Sequence, residues 1–346
     1  MIPAKKKGWR PMQFGDNEFH IVHGEGMGGT VRTLYGVPAS RILCNRDSLS
    51  CGPLAPLNDP TQWDRLRLGY WDAVVGAEPQ GLTFWQQLVA ARDRLENADC
   101  INLWLGPALD ESLLTGFLLE AFPLLELEPS RLRLIDLEPV FEALGERLRM
   151  GGFHNDFLQM VGPWRLMEKP VQASYRQLWR AASAPTPELL VDFCRSDRPW
   201  PGPLKEALRA WMAWYPAFKS GLGFWDEMLL YNSSSSPVTV AHTIGGSLRR
   251  ASGLVDPGDA WLFHRLRRLA DPDLAWPLLE MTGDGQSYRH TLTRLTDAGI
   301  DVVNGDENAI VLNGIEDRIG GVRLSLDEDR MWFYDGETLI PRGRIA

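Results

Sequence analysis

The sequence predicts a mixed α/β fold: a small parallel-sheet N-terminal domain, then a helical region, then a compact C-terminal module. Three observations carry this. Short apolar runs at 19–22, 41–45, 100–105 and 131–135 alternate with segments of helical periodicity, the pattern of a parallel sheet covered on both faces. Past residue 140 the strand pattern stops, and apolar residues recur at helical spacing between Pro163, Pro170, Pro185, Pro199, Pro201 and Pro203. From Gly221 and Gly223 onward, three helical segments precede a hairpin, the outline of a winged helix. The expected organisation is a loose arm over 1–18, an α/β domain over 19–140, a helical domain over 141–222 and a winged-helix-like module over 223–346.

Each element has its own reason. The run 19–22 feeds a glycine-rich loop and is the first strand. Residues 30–35 leave room for only a short helix before Gly36 and Pro38. The run 41–45 is the second strand, and Pro53, Pro56 and Pro60 make an extended linker after it. Segments 61–75 and 83–97 carry apolar residues at helical spacing, with Pro79 and Gly81 between them. The third strand, 100–105, is broken by Gly106-Pro107, and Asp110 then starts a helix over 110–122. The fourth strand is 131–135. Helices are expected at 141–150, 155–161, 171–182, 187–194 and 203–218. The last module should hold helices at 224–231, 239–252 and 258–270, and a hairpin over 322–326 and 331–334.

Composition narrows the function classes. With 346 residues, 44% hydrophobic and 23% charged, the chain has the make-up of a globular protein of two or three domains. A net charge of -9 argues against broad nucleic-acid binding. The four cysteines, Cys44, Cys51, Cys100 and Cys194, form no C-x-x-C. Reduced thiols in a cytoplasmic protein are therefore expected, rather than a disulfide framework or a zinc site, and no metal is expected. Lys5-Lys6-Lys7 leads into Gly8-Trp9-Arg10-Pro11, not into the apolar core of a signal peptide. No run approaches the ~20 apolar residues of a membrane span, so no membrane partner is expected.

The candidate site lies at the carboxyl end of the first two strands. Gly24-Glu25-Gly26-Met27-Gly28-Gly29 satisfies G-x-G-x-x-G after a strand, and Asp47 stands where a ribose-binding acid would. Gly24, Glu25, Gly26, Gly28, Gly29 and Thr30, with Arg46 and Asp47, are the expected ligand-binding residues. Glycines let backbone amides approach a phosphate, and the planar fork of Arg46 suits a phosphate or carboxylate. A small anionic or nucleotide-like ligand follows; its identity, and any cofactor, stay unknown. The alternative is a glycine-rich turn that only joins strand to helix, with Arg46 and Asp47 paired to each other or Asp47 bonding turn amides. His23, Cys51 and Asp47 are the catalytic candidates, as an acid/base, a thiol near a cation and a carboxylate. His20 and His23 point to opposite strand faces, so they do not chelate one metal.

In the C-terminal module, Arg265, Arg267 and Arg268 with His264 occupy the third helix, which in a winged helix lies in the major groove. Trp261, Leu262, Leu266 and Leu269 pack one face inward, so the arginines fit equally a solvated face. The expected hairpin tip, Asp327-Glu328-Asp329, would be repelled by phosphates. A protein partner is favoured over nucleic acid.

Several motifs resemble those of the bacterial domain-of-unknown-function 1835 family. His20-Ile21-Val22-His23-Gly24-Glu25 is similar to its opening His-Ile-Val-x-Gly-Asp. Arg46-Asp47-Ser48-Leu49-Ser50-Cys51-Gly52-Pro53 resembles Arg-acid-x-Leu-x-x-Gly-Pro. Leu312-Asn313-Gly314-Ile315-Glu316-Asp317-Arg318-Ile319-Gly320-Gly321-Val322 resembles the end of its longer members. The likeness spans nearly the whole chain and implies no known reaction. Where the family pattern places acid-His-Asp, this chain has Gly106-Pro107-Ala108, so metal or proton chemistry at that corner is not expected. Asp110 and Glu111 fit the negative first turn of a helix. The expected role is a cytoplasmic ligand-binding or adaptor protein. An enzyme acting on a nucleotide or phosphorylated metabolite and a transcriptional regulator are the alternatives.

Overall fold

A computed structural model describes residues 12–76, 81–140, 161–196, 203–250, 255–283, 285, 287–326 and 331–342. Most of the expected arm, the helix expected over 141–150, all but the last residue of that over 155–161, and the acidic tip 327–329 lie outside the described residues. The chain forms two compact units and passes between them more than once. The first comprises Met1–Ser48, Gly81–Trp179 and Pro199–Leu204; the second comprises Leu49–Gln80, Arg180–Arg198 and Lys205–Ala346.

The first unit is built on a five-stranded sheet of β1 (Glu18–His23), β2 (Ile42–Asn45), β3 (Cys100–Leu105), β4 (Leu132–Asp136) and β5 (Arg165–Leu166). The order is β2-β1-β3-β4-β5, with β1 to β4 parallel and β5 antiparallel on the edge. Leu43, Ile21, Leu103 and Leu134 fall in register across four strands, and all four are buried. Every residue of β3 is buried, as befits a parallel strand covered on both faces. The short exposed β5 carries no apolar pattern that the sequence could have shown.

Helix Glu25–Tyr35 packs on β1 and β2, and helix Leu109–Leu124 packs on β1 and β3. The second of these is buried almost all round, so its sequence is apolar on every side rather than on one stripe. Gly116 lies in its middle because a Cβ there would meet Tyr175 O at 2.7 Å. The first helix differs from expectation. It starts at Glu25, not Thr30, and has eleven residues. Glycine is a poor helix former, so local propensity reads as a loop; tertiary packing overrides it.

In the second unit, Asp59 caps helix Pro60–Val75 through the amides of Thr61 and Gln62. Further on come helix Phe224–Tyr231, strand Val238–Thr239, helices Val240–Leu248 and Asp259–Leu269, and strands Leu279–Thr282 and Leu292–Leu295. The three strands form one antiparallel sheet with Leu292–Leu295 in the centre. The expected hairpin of 322–326 with 331–334 does not form. Val322–Ser325 pairs instead with Glu316–Ile319, and Trp332–Tyr334 pairs with Leu339–Pro341. The reason is turn chemistry: Gly320, at φ 57, and Gly321 close a two-residue hairpin. Asp335 closes the other by accepting from the amides of Glu337 and Thr338. The hairpin directly after the three helices is thus Leu279–Thr282 with Leu292–Leu295. Among the described residues no helix is long and apolar enough to cross a membrane.

The arginines of helix Asp259–Leu269 are not one solvated face. Arg265 is 12% exposed in its side chain and lies between Asp226 and Asp317, donating from Nε to Asp226 Oδ1 at 2.8 Å and from Nη1 and Nη2 to both carboxylates. Burial alone would raise the Asp317 carboxyl, but Arg265 and Arg268 outweigh it and hold the group below the usual carboxylate range. Removing one member leaves buried charge unpaired. Arg265→Met should therefore cost the second unit about 3–5 kcal/mol in urea denaturation. Arg294→Met, which breaks a half-exposed pair with Glu280, should cost under about 1 kcal/mol.

Candidate functional site

Strand order places a crevice at one edge of the first unit's sheet. From β1 the chain turns to β2 on one side, then returns to β3 on the other. The carboxyl ends of β1 and β3 therefore diverge, and open α/β sheets bind ligands in such a crevice. His23 ends β1, Gly24 follows it at φ 78 and ψ 147, and helix Glu25–Tyr35 begins at once. Gly24 N donates to Asn45 O at 2.8 Å, which ties the start of the helix to the end of β2. Asn45 is fully buried and fixes the next turn: its Oδ1 accepts from Asp47 N at 3.1 Å, and its Nδ2 donates to Asp47 O at 3.0 Å. The same Nδ2 stands 3.5 Å from His23 Nδ1.

Arg46 comes to the helix start, where its Nε donates to Glu25 Oε1 at 2.6 Å. Both side chains are more than half exposed, so this pair adds under about 1 kcal/mol to stability. The glycines divide into three kinds. Gly24 needs its positive φ. Gly28 is a contact: a Cβ there would stand 2.4 Å from Cys44 Sγ. Gly26 and Gly29 have nothing within 4 Å of a Cβ, and they sit three apart on one side of the helix. Gly28 N bonds Gly24 O and the Thr30 hydroxyl bonds Gly26 O, so these groups are taken up inside the helix. The amides of Glu25, Gly26 and Met27 are the first-turn donors that an α-helix leaves without an intrahelical acceptor.

The other lip of the crevice is Gly106-Pro107-Ala108 and the start of helix Leu109–Leu124. Glu111 was expected only as a charge on a first turn, yet its Oε2 is buried with no hydrogen-bond partner. Burial, helped by Asp110 and opposed by His23, pushes the Glu111 carboxyl up to about 7. His23 and Glu111 are thus electrostatically coupled at one sheet edge. The sequence signal that would have found Glu111 is its helix: in a helix apolar all round, any acid is forced inward. His20 is fully buried, accepts from Trp104 Nε1 at 3.1 Å through Nδ1, and is pushed down to about 4 by burial. It is a core residue, on the strand face opposite His23.

Cys51 lies in the second unit, fully buried, with its Sγ 3.9 Å from Pro257 O. Burial of this kind suits a structural thiol better than a nucleophile. At the ends of β3 and β4 a second cleft, lined by Asp136, Arg165, Ser112 and Tyr175, has a free volume of only about 20 Å³, room for roughly one water. The chain matches no protein-family model and no curated protein sequence.

The Glu111 value is raised on folding, so its stabilising share is present below the ordinary carboxylate range and lost as pH rises through about 7. The loss from about pH 5 to about pH 8 should be on the order of 2 kcal/mol larger in the native chain than in Glu111→Gln. The His20 value is lowered, so stability falls as pH drops from 6.5 toward about 4. The glycines should separate in denaturant titrations. Gly28→Ala should lose about 1–3 kcal/mol by overpacking, whereas Gly29→Ala should gain up to about 1 kcal/mol.

Proposed function

We propose that the first unit binds a small phosphate- or carboxylate-bearing molecule at the amide end of helix Glu25–Tyr35. The observation that carries this is the pair Gly26 and Gly29. A glycine inside a helix costs about 1 kcal/mol relative to alanine. Gly28 has a packing reason and these two have none. Close approach of a ligand to bare backbone supplies one. The Glu25 carboxylate, held against Arg46 at the helix start, marks a position suited to an anion. An incoming phosphate would take Arg46 from Glu25. The resemblance to the domain-of-unknown-function 1835 family adds no reaction to this reading, and the free thiols suit a cytoplasmic setting.

For the second unit we propose a winged-helix-like module that contacts protein rather than nucleic acid. Its helix–strand–helix–helix–strand–strand order supports the first part. The second part rests on the third helix. Arg265 is buried between carboxylates, Arg268 is bound to Asp317 and Glu316 O, and Arg267 donates to Gly285 O. Arg265 is thus unavailable to a phosphate, and the Asp317 carboxylate beside Arg268 opposes one.

An enzyme is the second reading, favoured by the buried, partnerless oxygen of Glu111 at the same edge as His23. A raised carboxyl beside an imidazole is a common acid/base arrangement.

Calorimetric titration of the full chain with inorganic phosphate and with nucleoside mono-, di- and triphosphates tests the anion site. Binding should weaken about ten-fold in Arg46→Ala and tighten several-fold in Glu25→Gln. No heat and no thermal stabilisation by any of these anions would contradict it. Consumption of a bound nucleotide that stops in Glu111→Gln would move the reading to the enzyme.

A further inference from the structure

The second unit contains a cavity of about 480 Å³, within the roughly 300–1,000 Å³ typical of small-molecule sites. Trp214, Leu222, Leu278, Ile310 and Leu324 give it a buried apolar floor. One wall is the ionic set Asp226, Arg265, Asp317 and Arg268. Both Asp226 oxygens accept from Arg265. Asp317 Oδ2 accepts from Arg265, and its Oδ1 accepts from Arg318 N with Arg268 Nη1 3.3 Å away. Two carboxylates and two guanidiniums cancel. Glu316 is turned to Arg323 through both oxygens, which leaves Asp271 as an acid on the rim with no ion-pair partner among the described residues.

This balance selects the ligand. Arg265 and Arg268 already hold the two less exposed carboxylates, so a cation would find only Asp271, which is exposed and screened by solvent. An anion would compete with Asp317 for Arg268 and face Asp271. Arg268 keeps donors to spare and is the more exposed of the two guanidiniums. Its side chain is 38% exposed, Nη2 donates to Glu316 O, and Nε has no acceptor among the described residues. We infer that this cavity binds a small, uncharged, mainly apolar molecule whose carbonyl or hydroxyl oxygen accepts from Arg268. The site is separate from the anion site of the first unit and does not depend on it.

Ligand-observed NMR on the full chain tests this with three size-matched fragment sets: neutral amides and ketones such as phenylacetamide, carboxylates such as phenylacetate, and amines such as phenethylamine. The neutral set should give the hits. Those hits should disappear in Leu324→Trp, which fills the cavity, and weaken about five-fold in Arg268→Met, which keeps its size but not its donors. If Leu324→Trp does not fold, as circular dichroism would reveal, Arg268→Met decides. The inference is overturned by an absence of neutral hits, by neutral hits that Arg268→Met leaves unchanged, or by carboxylates or amines that bind as tightly.

Discussion

Helix Glu25–Tyr35 lies so close to β2 that a Cβ at Gly28 would stand 2.4 Å from Cys44 Sγ. That approach fixes the geometry of the first unit's candidate site. It holds the helix start over the end of β1, where Gly24 bonds Asn45 O and Arg46 reaches Glu25. It also keeps the Cys44 thiol unreactive, because burial, with Glu25 adding and Arg46 subtracting, pushes it up to about 11. A helix anchored through a glycine tolerates two more glycines beside it only if something other than intrinsic propensity favours them.

Both units place ionisable groups where solvent cannot reach them easily, and they do so with opposite outcomes. In the second unit Arg265 is matched by two carboxylates, which outweigh burial and hold it charged. In the first, Glu111 has no hydrogen-bond partner for Oε2 and responds by holding its proton more tightly. A satisfied network is a structural feature. An unsatisfied carboxyl at the switch point of a parallel sheet is the kind of group that functional sites retain.

Much of this was legible in the residues. β1 to β4 showed themselves because parallel strands are apolar runs bounded by glycine and proline, and Cys100–Leu105 has the same bounds in sequence and structure. Helix Phe224–Tyr231 did too. The start of helix Glu25–Tyr35 was not legible, because Gly26, Gly28 and Gly29 suppress a helical reading and the contact that overrides them is tertiary. The C-terminal hairpins were misplaced although Gly320-Gly321 is a strong turn signal, since 322–326 and 331–334 also alternate as strands. Of the residues at the candidate site, Arg46 and the glycines could be placed near one another from sequence. Asn45 was hidden, because only the fold buries it, and Glu111 passed for an ordinary first-turn acid although the apolar helix around it carried the signal.

The claim on which the account turns is that amides of Glu25, Gly26 and Met27 are open to an anion. An amide-resolved NMR titration with inorganic phosphate measures this directly. Saturable shifts of those three amides are expected, with the Arg46 side chain following, while Gly28 and the second unit stay still. Phosphate that shifts none of the three, or shifts only lysine-rich surface elsewhere, would contradict it.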